Sequence, residues 1–259
     1  MQWPVQVVGA TGSTNADLVA AVRRGEGGPR VLAARRQDAG RGRLDRGWSS
    51  PDGASVAVSW LWRPARPQRD RTWLPMVVGL GVVDAVRALG LRSVALKWPN
   101  DVVVPAGPRS DGEQGATTGL RKLAGVLVEV ATAPDGTAHV VAGVGLNVGQ
   151  QSDDLPVPSA TSLLLATGRD PGFDAALDAL VVHVGRRLDD WGSGAARDAA
   201  LREDYRTACT TPGRVVHVRT PGGSVDGTAE DVDDDGCLVV VTDDGTRHRL
   251  SAGDVEHVR

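Results

Sequence analysis

Five arginines, four glycines and one tryptophan fall within residues 35–53, RRQDAGRGRLDRGWSSPDG, with no regular apolar spacing. That absence rules out an amphipathic helix and argues against an ordinary paired strand. Gly40, Arg41, Gly42 and Arg43 alternate, so backbone N–H groups and guanidinium forks can approach one anion together. Trp48 follows with a flat face suited to a planar ring. Taken alone, the segment reads equally well as a solvated basic loop.

Lysine usage narrows the field. Of the 29 Lys and Arg residues only Lys97 and Lys122 are lysines, each inside a dense motif, LKWPND and KLAGVLVEV. A compact, movable point charge suits chemistry that a planar guanidinium fork does not, although chance retention accounts for the pattern too. Pro99 interrupts a strand and leaves Asn100 and Asp101 at a sharp corner. Ser13, Thr14 and Asn15 sit at a strand-to-helix turn, where hydroxyls and an amide can meet a small polar ligand or simply cap the helix. Gly143 and Gly145 lie inside a strand pattern, which means close approach of a ligand or backbone, or a bulge.

The elements that must hold these residues are legible in outline. Residues 3–9 alternate as a strand, and a helix follows with Thr14 as the expected N-cap and Asp17 completing an acidic capping box. Residues 30–37 and 54–62 read as strands, the second covered on both faces. Residues 73–89 carry a helical apolar stripe, with Pro75 placed in the first turn. Strand patterns recur at 93–104, 122–130 and 139–148, and helices at 162–167, 173–191 and 195–208. From residue 210 onward, short Val-rich runs separated by PGG, DDDG and DDG turns predict a small all-β unit.

Composition sets the bounds. The 259 residues are 41% hydrophobic and 24% charged with a net charge of −3, as in a soluble globular protein and unlike a bulk nucleic-acid binder. Cys209 and Cys237 form neither a CxxC pair nor a metal-ligand spacing, and a reducing cytoplasm is their simplest setting. MQWPVQVVGATGS lacks the features of a signal peptide, and no apolar stretch approaches the roughly 20 residues of a membrane helix.

In order, STN, Q…GRGR…R.W…P.G, KWPND, K-AG-L-E and AG-G-N-V run across residues 13–148 at compatible spacing. Each motif is weak alone; the ordered set closely resembles the biotin protein ligases. The resemblance implies an α+β fold, with a mixed-sheet catalytic domain similar to class II aminoacyl-tRNA synthetases over 1–209 and an SH3-like β-barrel over 210–259. It implies the single-function type without an N-terminal DNA-binding domain. The implied reaction joins biotin and ATP, with Mg²⁺ on the polyphosphate and no prosthetic group, to give biotinyl-5′-adenylate and pyrophosphate. The acyl group then passes to a lysine of an apo biotin carboxyl carrier protein. No DNA or membrane partner is implied, and monomer or homodimer stays open.

By the same resemblance Lys122, Arg41 and Asp101 are catalytic. Ser13, Thr14, Asn15, Gln37, Gly40, Arg41, Gly42, Arg43, Lys122, Gly125 and Gly143 line the biotin site. Arg43, Arg46, Trp48, Lys97, Asn100, Lys122 and Asn147 contact ATP or the adenylate. No protein metal site is implied. Asp101 either orients and deprotonates the incoming amine or pairs with an arginine to fix the corner. Two departures stand out. Asp45 replaces the glycine of the usual GRGR-x-GR loop, which puts adenylate retention and loop closure in question. An insertion over 105–120 is longer than the short turn usual before the K-AG motif. A lipoate-type ligase of the same fold, or a nucleic-acid-binding regulatory module, are the competing readings.

Overall fold

The computed structural model describes residues 3–43, 47–50, 52–105, 119–191, 193–220 and 222–258. Asp45, Arg46 and most of the 105–120 insertion therefore lie outside the described residues. Strand β1 (Val5–Thr11) leads through helix α1 (Thr14–Arg23) to β2 (Arg30–Arg41), which pairs with it in parallel. β3 (Gly47–Ser50), β4 (Ser55–Trp62) and helix α2 (Leu74–Ala88) follow. Pro75 occupies the first turn of α2, where its missing N–H costs no helical bond. β5 (Ala95–Lys97) and β6 (Asp101–Pro105) form a hairpin around the Trp98–Pro99 corner, and β7 (Leu120–Thr132) and β8 (Ala138–Asn147) complete the sheet. Its strands run in the order β1-β2-β4-β8-β7-β6-β5, with β3 pairing β2, and only the β1–β2 pairing is parallel. The mixed sheet expected from the sequence is present.

Strand alternation divides the sheet's two faces between different partners. Val56, Val58, Trp60 and Trp62 of β4 join α2 and helix α4 (Phe173–Asp190) in the larger core, while Leu61 joins Leu18, Val19 and Val22 of α1 on the other face. Every residue of β4 is buried, as its double-sided apolar pattern predicts. α3 (Leu163–Thr167) and α5 (Ala195–Ala208) are the remaining α-helices among the described residues.

The sequence misplaces two local features. The N-cap of α1 is Ser13, whose hydroxyl accepts from the Ala16 amide at 3.4 Å, so Thr14 and Asn15 begin the helix with buried side chains. The arginine-rich segment is also more regular than its composition suggests, because β2 runs on to Arg41 and β3 pairs back on it. The register shifts between Gln37 and Gly40, and a methyl added at Gly40 would run into the Trp48 carbonyl. Glycine at this point lets the two arms close where a side chain would part them.

A third expectation is overturned. β9 (Val215–Thr220), β10 (Gly223–Val232), β11 (Leu238–Val241), β12 (Arg247–Leu250) and β13 (Asp254–His257) form an open five-stranded sheet in the order β12-β11-β10-β9-β13, not a closed SH3-like barrel. β12 and β13 are its two edges. Closure would bury an apolar face that is already covered. Val216, Val218, Ala229, Val232, Leu238, Val240 and Val255 share one continuous core with the helices and strands of the larger sheet. The edge strands are short and charged, and the arginines of β12 pair with acids of β10 and of the β10–β11 turn: Arg249 with Asp233 and Asp235, and Arg247 with Glu230. Trp98 ties the junction, its backbone N–H donating to Thr211 Oγ1 at 3.0 Å and its indole N–H to the Gly236 carbonyl at 3.1 Å.

Candidate active site

Opposed residues in an antiparallel ladder share a face, so the register builds the site floor directly. Asp101, Gly125, Gly145 and Ala57 form one row across β6, β7, β8 and β4, and Leu127, Gly143 and Ser59 form the next. Small residues in both rows leave a shallow bed on the face that carries α1, beyond the N-terminal end of that helix. Above it lies a cavity of about 970 Å³ that includes Ser13, Thr14, Asn15, Gln37, Arg41, Arg43, Trp48, Lys97, Asn100, Asp101, Lys122 and Asn147 in its walls. Nearly all the described residues singled out by sequence therefore meet in one place.

Lys122 reaches this face through a bulge. Three positions separate it from Gly125, a spacing that in a regular strand would put the two on opposite faces. Val102 pairs with Ala124 while Val103 pairs with Lys122, so Leu123 is the extra residue that re-aims the lysine. Backbone bonds with Ser159 and Thr161 pin the strand there, at 2.7 and 2.9 Å. Lys122 Nζ then lies 2.7 Å from Asp101 Oδ1 and 5.6 Å from the Trp48 ring centre. The first contact is an ion pair, not an aligned hydrogen bond, since the buried Asp101 Oδ1 lacks a partner of hydrogen-bond geometry.

Trp48 forms a roof over the glycines. A methyl at Gly145 would run into its indole, and one at Gly125 would sit 3.3 Å from Trp48 Cζ3 and 3.2 Å from Lys122 Nζ. The absence of side chains at both glycines is what lets the indole approach the sheet this closely. Its Nε1 is buried and has no hydrogen-bond partner among the described residues. Close by, Arg43 donates to Asn100 Oδ1 at 3.2 Å, and Asn100 Nδ2 donates to the Val126 carbonyl at 3.0 Å, so the corner residue carries both the loop and the neighbouring strand.

The opposite wall is a hydrogen-bonded array. Gln37 Oε1 accepts from the Thr14 amide at 2.9 Å and from its hydroxyl at 3.1 Å. Thr14 Oγ1 lies 2.7 Å from Ser59 Oγ, which donates to Asn15 Oδ1 at 2.6 Å. Asn15 Nδ2 donates to the Leu127 carbonyl and to Glu129 Oε2, at 3.2 and 2.9 Å. A methyl at Gly143 would run into the Asn15 amide. Asn147 differs from these residues. Its amide donates to the Thr161 carbonyl at 2.9 Å and accepts from Gln150 at 3.1 Å, so a buried internal network engages both of its ends.

Sequence reasoning missed the contributions of Ser59 and of the C-terminal sheet, and it gave Glu129, the last residue of the K-AG-L-E motif, no role. Ser59 stands in an apolar strand with no motif around it, and register alone reveals its neighbours. The cavity walls also include Arg214, Arg219, Asp254, Glu256 and His257 of the smaller sheet. Burial, opposed by the Asp101 and Asp254 carboxylates, holds the Lys97 ammonium below the usual lysine range. His257 is pushed down to about 4, by burial first and then by the positive charges of Lys97 and Arg214. Lys97 is thus set against acids from both sheets, whereas burial beside Lys97 and Arg214 disfavours a charge on His257.

Residues 20–147 match the Biotin/lipoate A/B protein ligase family, and residues 211–258 match the Biotin protein ligase C terminal domain. The chain is 38% identical to the biotin–[acetyl-CoA-carboxylase] ligase of Mycobacterium tuberculosis, over 98% of this chain and 89% of that one. It is 31% identical to the ligase of the same name from Paracoccus denitrificans, over 89% and 91% respectively. The biotin protein ligase of Aquifex aeolicus, solved in complex with biotin and ATP, shares the fold with a TM-score of 0.78 at 24% identity, over 99% of both chains. Relatives this similar along almost their full length place the chain in the biotin protein ligase family.

Proposed function

We propose that the chain activates biotin with ATP and passes the biotinyl group to a lysine of an apo biotin carboxyl carrier protein. The observation that carries this reading is one cavity with a hydrogen-bonding wall (Thr14, Asn15, Gln37) at one end and a paired lysine and aspartate at the other. A neutral ureido ring needs donors and acceptors fixed in space, which the first end offers. Adenylation brings a carboxylate against an α-phosphate, and their repulsion in a poorly solvated site must be offset by positive charge.

In the first step a biotin carboxylate oxygen attacks the α-phosphorus, and the bond to the bridging oxygen breaks to release pyrophosphate. Lys122, Arg41 and Arg43 stabilise the phosphoryl oxygens as charge builds there. Trp48, seated on the glycine floor, packs against the adenylate. Lys97 and Asn100 face the nucleotide, while Asn147 shapes its wall through Thr161 and Gln150 instead of offering a free amide. Arg46 keeps its sequence-based assignment to the phosphates. Mg²⁺ enters with ATP on the phosphates; the described residues contain no cluster of three or more His, Cys, Asp or Glu side chains able to hold a metal. In the second step the neutral acceptor amine attacks the acyl carbon, AMP leaves with the bonding pair, and the amine's proton is lost. Asp101 is placed to orient that amine.

The division into a catalytic unit over 1–209 and a C-terminal unit over 210–259 belongs to this proposal. Supporting it are a separate sheet that begins at Val215 and the distinct family match over 211–258. No helix among the described residues is long and apolar enough to cross a membrane. The reading is tested by incubating the protein with biotin, ATP, Mg²⁺ and an apo-carrier domain, where biotinyl transfer is expected. Absence of transfer refutes it, and transfer of lipoate in preference to biotin would favour a lipoate-type ligase.

A further inference from the structure

Glu129 belongs to none of the roles above, yet it joins the two halves of the site that the sequence treats separately. It lies on β7 two positions from Leu127, on the cavity face of the sheet. Arg41 Nη2, from the end of β2, donates to both of its oxygens at 3.1 Å, and Asn15 Nδ2 donates to Oε2 at 2.9 Å. Its side chain is 25% exposed, so the carboxylate is partly withdrawn from water and its interactions are less screened than those of a surface pair.

An ionised carboxylate offers acceptors only. Together with the Leu127 carbonyl it takes both amide protons of Asn15, which turns Asn15 Oδ1 toward Ser59 and leaves that oxygen with a second lone pair. A neutral amide in the same place has a single acceptor oxygen. Placed where Oε2 stands, that oxygen can still receive Asn15 and Arg41, but the NH₂ then replaces the Oε1 acceptor and faces the Arg41 guanidinium, donor against donor, and the negative charge is gone. One negative charge therefore satisfies the Asn15 wall and the arginine arm at the same time.

We propose that Glu129 is a positioning residue that couples the two, fixing the acceptor face of Asn15 and anchoring Arg41 beside it, and so raises affinity for the ureido end of biotin. The inference rests on the biotin-binding reading above. It assigns Glu129 no contact with the ligand.

Its test is equilibrium binding of biotin to the full chain, with KM for ATP and the melting temperature measured alongside. Glu129→Gln is expected to weaken biotin binding roughly tenfold or more, the scale of a lost charge-assisted hydrogen bond, with KM for ATP held within about twofold, because Arg41 serves the phosphoryl oxygens as charge builds there and its loosening is read in kcat. Glu129→Asp keeps the charge on a shorter arm and should fall between wild type and Glu129→Gln. If Glu129→Gln does not fold, Glu129→Asp decides, with severalfold weaker biotin binding and an unmoved KM for ATP expected. Unchanged biotin affinity overturns the proposal. So does a parallel loss of biotin and ATP affinity, which marks a general loosening of the fold. A wild-type chain that fails to bind biotin refutes the underlying function and leaves the coupling moot, so the two failures are told apart.

Discussion

The Lys122 ammonium lies 2.7 Å from Asp101 Oδ1, and a β-bulge in β7 is what brings the two onto one face. Both side chains are partly exposed to the cavity, at 36% and 23%, so a ligand can exchange for either partner. The pairing bears on the corner-fixing reading of Asp101, with the difference that the partner is a lysine, not an arginine. It also stores the lysine where developing phosphoryl charge is expected.

Lys122→Ala should slow adenylate formation by about 10²–10³-fold, the scale of one removed electrostatic contact in a preorganised site. Single-turnover pyrophosphate release reads this directly. Asp101→Ala should leave biotin binding close to wild type and slow transfer more than adenylation, because the acceptor amine, with an ordinary pKa of about 10.4, must reach the acyl carbon unprotonated. If both variants lose the two steps equally, Asp101 acts only by holding Lys122.

Gly145→Ala and Gly143→Ala probe the floor at two addresses. The first sets a methyl against the Trp48 indole and the second against the Asn15 amide. Overpacking of this kind costs about 1–3 kcal/mol where neighbours cannot yield. Gly145→Ala should chiefly weaken retention of the adenylate, and Gly143→Ala binding of biotin, as resolved by titration with each ligand. Equal effects on both ligands would mean that the two glycines serve strand packing alone.

Sequence reaches most of this site because its residues sit at irregular places: glycines between arginines, a proline corner, lysines in a chain that otherwise uses arginine. Such features carry a local signal. Ser59 and His257 carry none, since each becomes part of the site only through pairings between distant strands; Glu129 closes the K-AG-L-E motif, but what its carboxylate joins is set by strand register. The N-cap shows a similar limit. Ser13 and Thr14 are equivalent as local capping residues, and the distinction comes from Gln37 and Ser59, which take up the Thr14 hydroxyl. The open C-terminal sheet was beyond reach for a related reason. Val-rich runs and tight turns predict strands, but whether a sheet closes on itself depends on what else covers its apolar face.

That cover predicts how tightly the two sheets are joined. Thr211 is fully buried and accepts from the Trp98 backbone N–H, itself buried at the corner beside Asn100 and Asp101. Thr211→Val keeps the shape and orphans that donor, at a cost of about 1–3 kcal/mol. Urea unfolding should show the loss in one cooperative transition. A separate early transition for the smaller sheet would indicate that it folds independently of the larger one.

His257 gives the junction a pH dependence whose sign follows from its burial. In the folded chain its imidazole is pushed down to about 4 from an ordinary value of 6.5. Between those values the unfolded chain binds a proton that the folded chain refuses, so acidification favours unfolding across this window. Above it both forms are neutral and the residue adds no pH dependence; below about 4 both are protonated and the full cost is present. Lys97 and Arg214 supply positive charge toward the ring, and Thr211 Oγ1 lies 3.4 Å from its Nε2, so among the described residues no anionic group offsets the cost of protonation. His257→Gln keeps a polar side chain without the titration. Its melting temperature should fall less than that of the wild type between about pH 7 and about pH 4.5, because only the wild type carries the ring's share of the proton linkage. Parallel melting curves for the two proteins would show that the acid sensitivity arises elsewhere.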